Sequence, residues 1–119
     1  MIKTQTLLKV ADNTGARKLM CIRILKGTTA KAGDIIIAVV KDAIPNTQIK
    51  KSEIVRAAIV RTKSPIQRKD GTTIRFNENA AIILTKNNSP KASRIFGPIA
   101  KEINKIGYKK ISSIAPIII

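Results

Sequence analysis

Five cations, Arg61, Lys63, Arg68, Lys69 and Arg75, fall within the stretch RTKSPIQRKDGTTIRFNENAAII (61–83), opposed only by Asp70 and Glu78. Guanidinium and ammonium groups at this density suit phosphates: Arg grips two oxygens at once, and Lys acts as a point charge. Bond-making chemistry has no comparable support. The chain has no histidine, which removes the commonest general base and metal ligand. The seven acids, Asp12, Asp34, Asp42, Glu53, Asp70, Glu78 and Glu102, stand singly. Most fall at turns, where an Asp side chain bonds nearby backbone. Asp12-Asn13-Thr14-Gly15 reads as such a turn before a strand rather than as an anion or metal loop. The one cysteine, Cys21, has no base partner and permits no internal disulfide. It reads as a small strand hydrophobe in a reducing compartment. No catalytic residue, metal site or cofactor is expected.

The cations need an element to hold them. Asp70-Gly71 marks a tight hairpin turn. With those two residues as the loop, Lys69 faces Thr72, Arg68 faces Thr73, Gln67 faces Ile74 and Ile66 faces Arg75. One side of the ribbon then shows Ile66, Arg68, Thr73 and Arg75, and the other Pro65, Gln67, Lys69, Thr72, Ile74 and Phe76. Neither side is apolar throughout, and Pro65 limits pairing within a sheet. The ribbon, about residues 63–76, is therefore predicted to project and to become ordered against phosphates rather than on its own core.

Around it, strands are predicted at Gln5–Val10, Leu19–Leu25, Ile35–Val40, Ile54–Thr62, Thr73–Phe76 and Ala80–Thr85. Turn signals separate them at Asp12–Gly15, Gly27–Thr29, Ala32–Asp34, Pro45–Thr47, Asp70-Gly71 and Asn87–Pro90. Short strands with a turn roughly every ten residues suggest a small barrel or sandwich. Twenty-three isoleucines against five leucines supply the β-branched bulk that strands favour. The apolar run Ile35–Val40 predicts a strand covered on both faces, by a barrel interior and by a helix or partner. A helix is predicted only near the end. Pro98 suits its first position, Ile99, Ile103 and Ile106 form one apolar stripe, and Gly107 stops it. A second short turn is predicted at Ile111–Ile114.

Twenty-three Lys and Arg against seven acids give a net charge of +16. The excess is spread evenly: residues 1–60 hold 11 basic and 4 acidic side chains, and residues 61–119 hold 12 and 3. Self-repulsion of this size implies life against a polyanion. A membrane is the weaker candidate, because a spanning helix needs about 20 apolar residues and the longest run here has six. Met1-Ile2-Lys3-Thr4-Gln5 leads straight into periodic structure, so no signal peptide is expected. The three aromatics, Phe76, Phe96 and Tyr108, do not form the stacking platform of a single-strand binder. Cations with small polar side chains suit a folded RNA read by shape and backbone.

Six ordered blocks carry a family resemblance: VADNTGARKLMCIRI (10–24), GDIIIAVVKDAIPN (33–46), VRAAIVRT (55–62), DGTTIRFNENAAII (70–83), SRIFGPIAKEI (93–103) and KKISSIAPI (109–117). From Gln5 to Pro116 the chain resembles the universal large-subunit ribosomal protein L-fourteen family, most of all its cyanobacterial and plastid branch. The resemblance implies a mainly β fold: a small five-stranded β-barrel with a projecting β-hairpin ribbon and a short helical C-terminal part. It implies one domain over 1–119, with the barrel at about 1–85 and the C-terminal part at about 86–119. Implied partners are large-subunit rRNA, small-subunit rRNA across the subunit interface, ribosomal proteins L-three and L-nineteen, and a ribosomal silencing factor; no membrane is involved. Carried over by motif, Arg17, Lys18, Arg23, Lys41, Arg56, Arg61, Arg75 and Asn79 are rRNA contacts, joined by the ribbon cations Lys63, Arg68 and Lys69. Ser93, Arg94 and Lys110 match positions that face the small subunit or the silencing factor. The chain departs from the family pattern in a shorter Gly27–Ala32 loop, in Ala92 where a Gly is usual, and in Ile117–Ile119, which lacks the usual acid.

The resulting expectation is a structural, non-enzymatic protein of the large ribosomal subunit, in a plastid (chloroplast or relict plastid), or otherwise in the bacterial cytoplasm or a mitochondrion. The alternative is a free RNA-binding barrel acting as an assembly or translation factor. A nuclease or RNA-modifying enzyme would need His or paired carboxylates.

Overall fold

The computed structural model describes residues 2–106 and 108–119. Nine strands appear in chain order among them: β1 (Leu7–Val10), β2 (Ala16–Ile24), β3 (Ile35–Ala43), β4 (Ile54–Arg61), β5 (Ile66–Gln67), β6 (Thr73–Ile74), β7 (Ala80–Leu84), β8 (Pro98–Ile99) and β9 (Ile117–Ile118). The first four and β7 close into the expected five-stranded barrel, in the order β1-β2-β3-β4-β7. All pairings are antiparallel except the closing one, where β1 meets β7 in parallel at Lys9↔Ala80 and Val10↔Ala81. Closure removes the open edges that would otherwise pair with other chains.

Two apolar clusters hold this barrel. Inside it, Leu8, Leu19, Cys21, Ile36, Ala38, Val40, Ala57, Ile59, Ala81 and Ile83 pack together. Burial raises the Cys21 thiol above its ordinary pKa, so it packs as a hydrophobe rather than reacting. The second cluster lies outside, where Ala58, Val60, Ala80, Ile82 and Leu84 meet Ile95, Ile99, Ile103 and Ile111 of the C-terminal segment. Every residue of β7 is therefore buried. The expectation for Ile35–Val40 is corrected: Ile36, Ala38 and Val40 are buried, but Ile35, Ile37 and Val39 alternate with them at half exposure. The strands covered on both sides are β4 and β7, because the C-terminal segment lies over them.

That segment is not the helix expected from Pro98. Pro98 and Ile99 form β8, paired in parallel with Ile117 and Ile118 of β9. The Ile119 amide donates to the Ile99 carbonyl at 2.9 Å, and the Lys101 amide to the Ile119 carbonyl at 3.0 Å. A 3-10 helix (Lys101–Ile106) and the seven-residue helix α1 (Tyr108–Ile114) lie between the two strands. The expected helical C-terminal part is thus replaced by a strand pair around short turns. Two members of the expected stripe, Ile99 and Ile103, are fully buried, and the side chain of the third, Ile106, lies outside the described residues. The stripe could not tell a 3.6-residue helix from a strand running into a tighter turn. The expected stop at Gly107 lies outside the described residues.

The ribbon also differs. Its register is Ile66↔Ile74 and Gln67↔Thr73, one residue off the expectation, because the loop has three residues rather than two. The Arg68 amide donates to the Thr72 carbonyl at 2.9 Å, and the Gly71 amide to the Arg68 carbonyl at 3.0 Å, with Gly71 at φ 90°. This is the turn-plus-bulge loop that a left-handed Gly allows. Asp70 accepts from the Thr72 hydroxyl and amide at 2.6 and 3.0 Å, which holds its carboxyl below the ordinary pKa. A one-residue slip moves every side chain to the other face. Ile66, Arg68, Ile74 and Phe76 are now half-buried together, while Pro65, Gln67, Lys69, Thr73 and Arg75 are exposed. The ribbon has an inner face after all, and it lies against its own protein.

Asp12 ties the β1–β2 turn to β7. One carboxylate oxygen accepts from the Thr14 hydroxyl at 2.7 Å and the Thr14 amide at 3.2 Å, and the other from the Ile83 amide at 2.8 Å. Asp12→Ala is expected to lower stability by about 1–3 kcal/mol, because it leaves a buried amide without an acceptor. Burial raises the Asp12 carboxyl above its ordinary 3.8, outweighing the three hydrogen bonds that lower it. The folded pKa therefore exceeds the unfolded one, and this group's contribution is lost as pH rises from 3.8 through the raised value. The penalty of Asp12→Ala, measured by urea unfolding, should accordingly be larger near pH 4 than at pH 7.

Candidate nucleic-acid interface

Strict alternation would send one of each adjacent pair of β2 side chains into the barrel. Irregularities in the β2–β3 register, between Ala16 and Lys18 and between Cys21 and Arg23, break that alternation. Arg17 and Lys18 are both exposed, as are Ile22 and Arg23. Bulges re-aim side chains in this way, and here they turn three cations outward from one strand. Lys18 also lies opposite Lys9 of β1 and Asp42 of β3. Lys41 is exposed near the end of β3.

The remaining predicted residues divide into outward and inward groups. Lys63, Lys69 and Arg75 are exposed on or beside the ribbon. Arg68 is turned inward: it pairs with Glu102 at 3.1 Å and donates to the Ile119 carbonyl at 2.6 Å. Arg61 is only 7% exposed. Its guanidinium donates to the Phe96 and Pro98 carbonyls at 2.8 and 2.9 Å and pairs with Glu78 at 3.0 Å. Asn79 accepts the Lys63 amide at 2.8 Å, a tie within the ribbon base. Arg56 is half-buried in β4, paired with Ile37 and Leu84. Among the described residues, ion pairs engage Lys9, Arg61 and Arg68, and Arg17, Lys18, Arg23, Lys41, Lys63, Lys69 and Arg75 make none.

Ser93 and Arg94 lie on the loop before β8 and Lys110 on α1, two segments joined by a backbone hydrogen bond. Ser93 accepts from Asn13 at 3.2 Å, which links it to the β1–β2 turn. The Ile95 amide donates to the Ile114 carbonyl at 3.3 Å, joining this loop to α1, and Lys110 of α1 donates to Ser89 at 3.1 Å. Arg94 and Lys110 are exposed, and so is Phe96, at 49%.

Three features escaped sequence reasoning. Lys86 and Lys91 flank the Asn87–Pro90 turn and line, with Arg56, Glu53, Ile37, Ile54 and Leu84, an open groove of about 550 Å3. Lysines bracketing a turn signal were the available clue. Leu7, Met20, Val39 and Ile54 stand in one register row across four barrel strands, with Leu7 58% and Ile54 66% exposed. Such a row exists only once the register is known. Phe96 is the third, an exposed ring on a loop whose neighbours Ile95 and Ile99 are buried.

No helix among the described residues is long and apolar enough to cross a membrane, and no group of three or more Cys, Asp or Glu could hold a metal ion among them. Barrel and surface together define a basic β-barrel protein with a set of outward cations. The chain belongs to the family Ribosomal protein L14p/L23e, which matches residues 1–119. It is thus a structural protein of the large ribosomal subunit and not an enzyme.

Proposed function

We propose that this chain binds large-subunit rRNA through phosphate contacts spread over its surface, and that Ser93, Arg94 and Lys110 form a bridge to small-subunit rRNA. The observation that carries the reading is the set of outward cations without ion pairs: Arg17, Lys18, Arg23 and Lys41 on the barrel, and Lys63, Lys69 and Arg75 on the ribbon. Arg56, with Lys86 and Lys91 around its groove, adds to them. Arg61, Arg68 and Asn79 stand apart from this set, since their side chains engage the protein itself. The apolar row Leu7–Met20–Val39–Ile54 suits neighbouring ribosomal proteins rather than phosphates, and L-three and L-nineteen are the neighbours that the family resemblance implies.

Binding to an rRNA fragment should weaken steeply with salt, by about 0.7–0.9 units of log–log slope per phosphate neutralised. Arg75→Ala should remove about one unit of that slope without creating sequence preference. A nearly flat salt response would refute phosphate-dominated binding. The alternative of a free assembly or translation factor is decided by sedimentation: a structural subunit stays with large subunits through a high-salt wash.

At the bridge, exposed Arg94 and Lys110 offer charge-assisted bonds to phosphate. The exposed Phe96 ring beside Arg94 also favours a protein at the same face, as a ribosomal silencing factor would be. The richness in isoleucine and lysine, with the resemblance of blocks 10–24 and 33–46, supports residence in a plastid ribosome.

A further inference from the structure

Arg61 carries a formal charge into a site where it is 7% exposed. A buried guanidinium is tolerated when its charge is paired and most of its donors are met; in Arg61 the two terminal nitrogens are engaged and Nε is buried without a partner. Here Nη1 donates to two carbonyls, Phe96 at 2.8 Å and Pro98 at 2.9 Å, which lie on either side of Gly97. Nη2 meets Glu78 at 3.0 Å, and the other oxygen of Glu78 meets Lys9 of β1 at 3.1 Å. The fit around Gly97 is close: a Cβ there would lie 2.8 Å from Arg61 Nη1. On its far side the loop is held by the Phe96 amide, which donates to the Ala11 carbonyl at 2.6 Å, and by Ile95, buried to 2% and bridged to Asp12. The loop is thus clamped from β4 and β1 together, while Arg94 and Phe96 stay exposed.

We propose that Arg61 is a positioning residue for the intersubunit face: from inside the protein it braces loop 93–98 in the shape that presents Arg94 and Phe96. This rests on the reading of Ser93, Arg94 and Lys110 as that face. Arg61 itself touches no partner. Its effect is on preorganisation, because a loop already held in its bound shape loses less conformational freedom on docking. Only a planar fork can meet two carbonyls and a carboxylate together; a lysine ammonium of the same charge cannot span them.

The test uses the full chain and large subunits that carry it. In Arg61→Lys the Phe96 amide should exchange at least about tenfold faster, with the amides of β3 unchanged. Subunits should take up the variant at the wild-type level and join small subunits about 5–10-fold more weakly. Combined with Arg94→Ala, the loss should be smaller than the product of the two single losses, because the loop then presents a cation that is no longer there. Glu78→Gln, which keeps an acceptor but loses the charge, should show the same pattern with smaller amplitude, and carries the comparison if Arg61→Lys does not accumulate. Unchanged Phe96 protection in both variants would overturn the brace. Faster exchange with unchanged joining, while Arg94→Ala weakens joining, would also overturn it, by making the brace merely structural. If Arg94→Ala leaves joining unchanged as well, the assignment of the face itself fails and takes this inference with it.

Discussion

Gly33→Ala is expected to destabilise the fold by about 2–5 kcal/mol, the sum of left-handed backbone strain and overpacking. Gly33 has φ 93°, and a Cβ there would collide with the carbonyl oxygen of Glu102. The obstacle is backbone of the 3-10 helix, not the end of a flexible side chain, so relief requires moving that helix. Gly33 is also fixed from its own side, since its amide donates to the Ile59 carbonyl at 2.8 Å. Domains of this kind are stable by only about 5–15 kcal/mol, so the predicted loss is a large share. Gly27→Ala is the control: φ is 74° there and a Cβ would meet nothing within 4 Å, leaving strain alone at about 1–2 kcal/mol. Urea unfolding of the two variants should show a clearly lower midpoint for Gly33→Ala. Equal midpoints would mean that the helix yields without cost. The same displacement should also loosen the ribbon, because Glu102 is the partner of Arg68.

The second large effect concerns the proposed bridge. Arg94→Ala with Lys110→Ala should leave incorporation into large subunits unchanged and weaken subunit joining by about 1–3 kcal/mol, the range for hydrogen bonds to charged groups. Both side chains are exposed in the free chain, and the apolar anchors Ile95 and Ile111 beside them are buried. Truncation therefore removes the charged tips without disturbing the core. Gradient profiles of variant ribosomes at two magnesium concentrations read the effect, since added magnesium should mask a lost cation. A silencing factor, where one exists, should be retained less well on the same variant. Variant protein missing from large subunits would place these residues against the chain's own rRNA instead, and the bridge assignment would fall.

Much of this protein was legible without coordinates. The strand cores and the mainly β class follow from residue type and period, because β-branched alternation is a local property. The basic surface is a sum over the chain, and the six ordered blocks were enough to indicate the family. What pairs with what was not legible. The ribbon's face depended on whether its loop held two residues or three, and Gly71 permits either. That single step decided that Arg68 turns in to Glu102 while Arg75 stays out. Arg61 and Arg75 look alike as letters, yet one is sealed against the carbonyls of Phe96 and Pro98 because the C-terminal segment lies over β4. Ile99 and Ile103 announced a buried face but not a helix, since the hydrogen bonds that make β8 come from residues about twenty positions later. Sequence by itself determined composition, charge and the local preference for strand. Tertiary structure decided which cations face outward, because register, bulges and overlying segments depend on residues far apart in the chain.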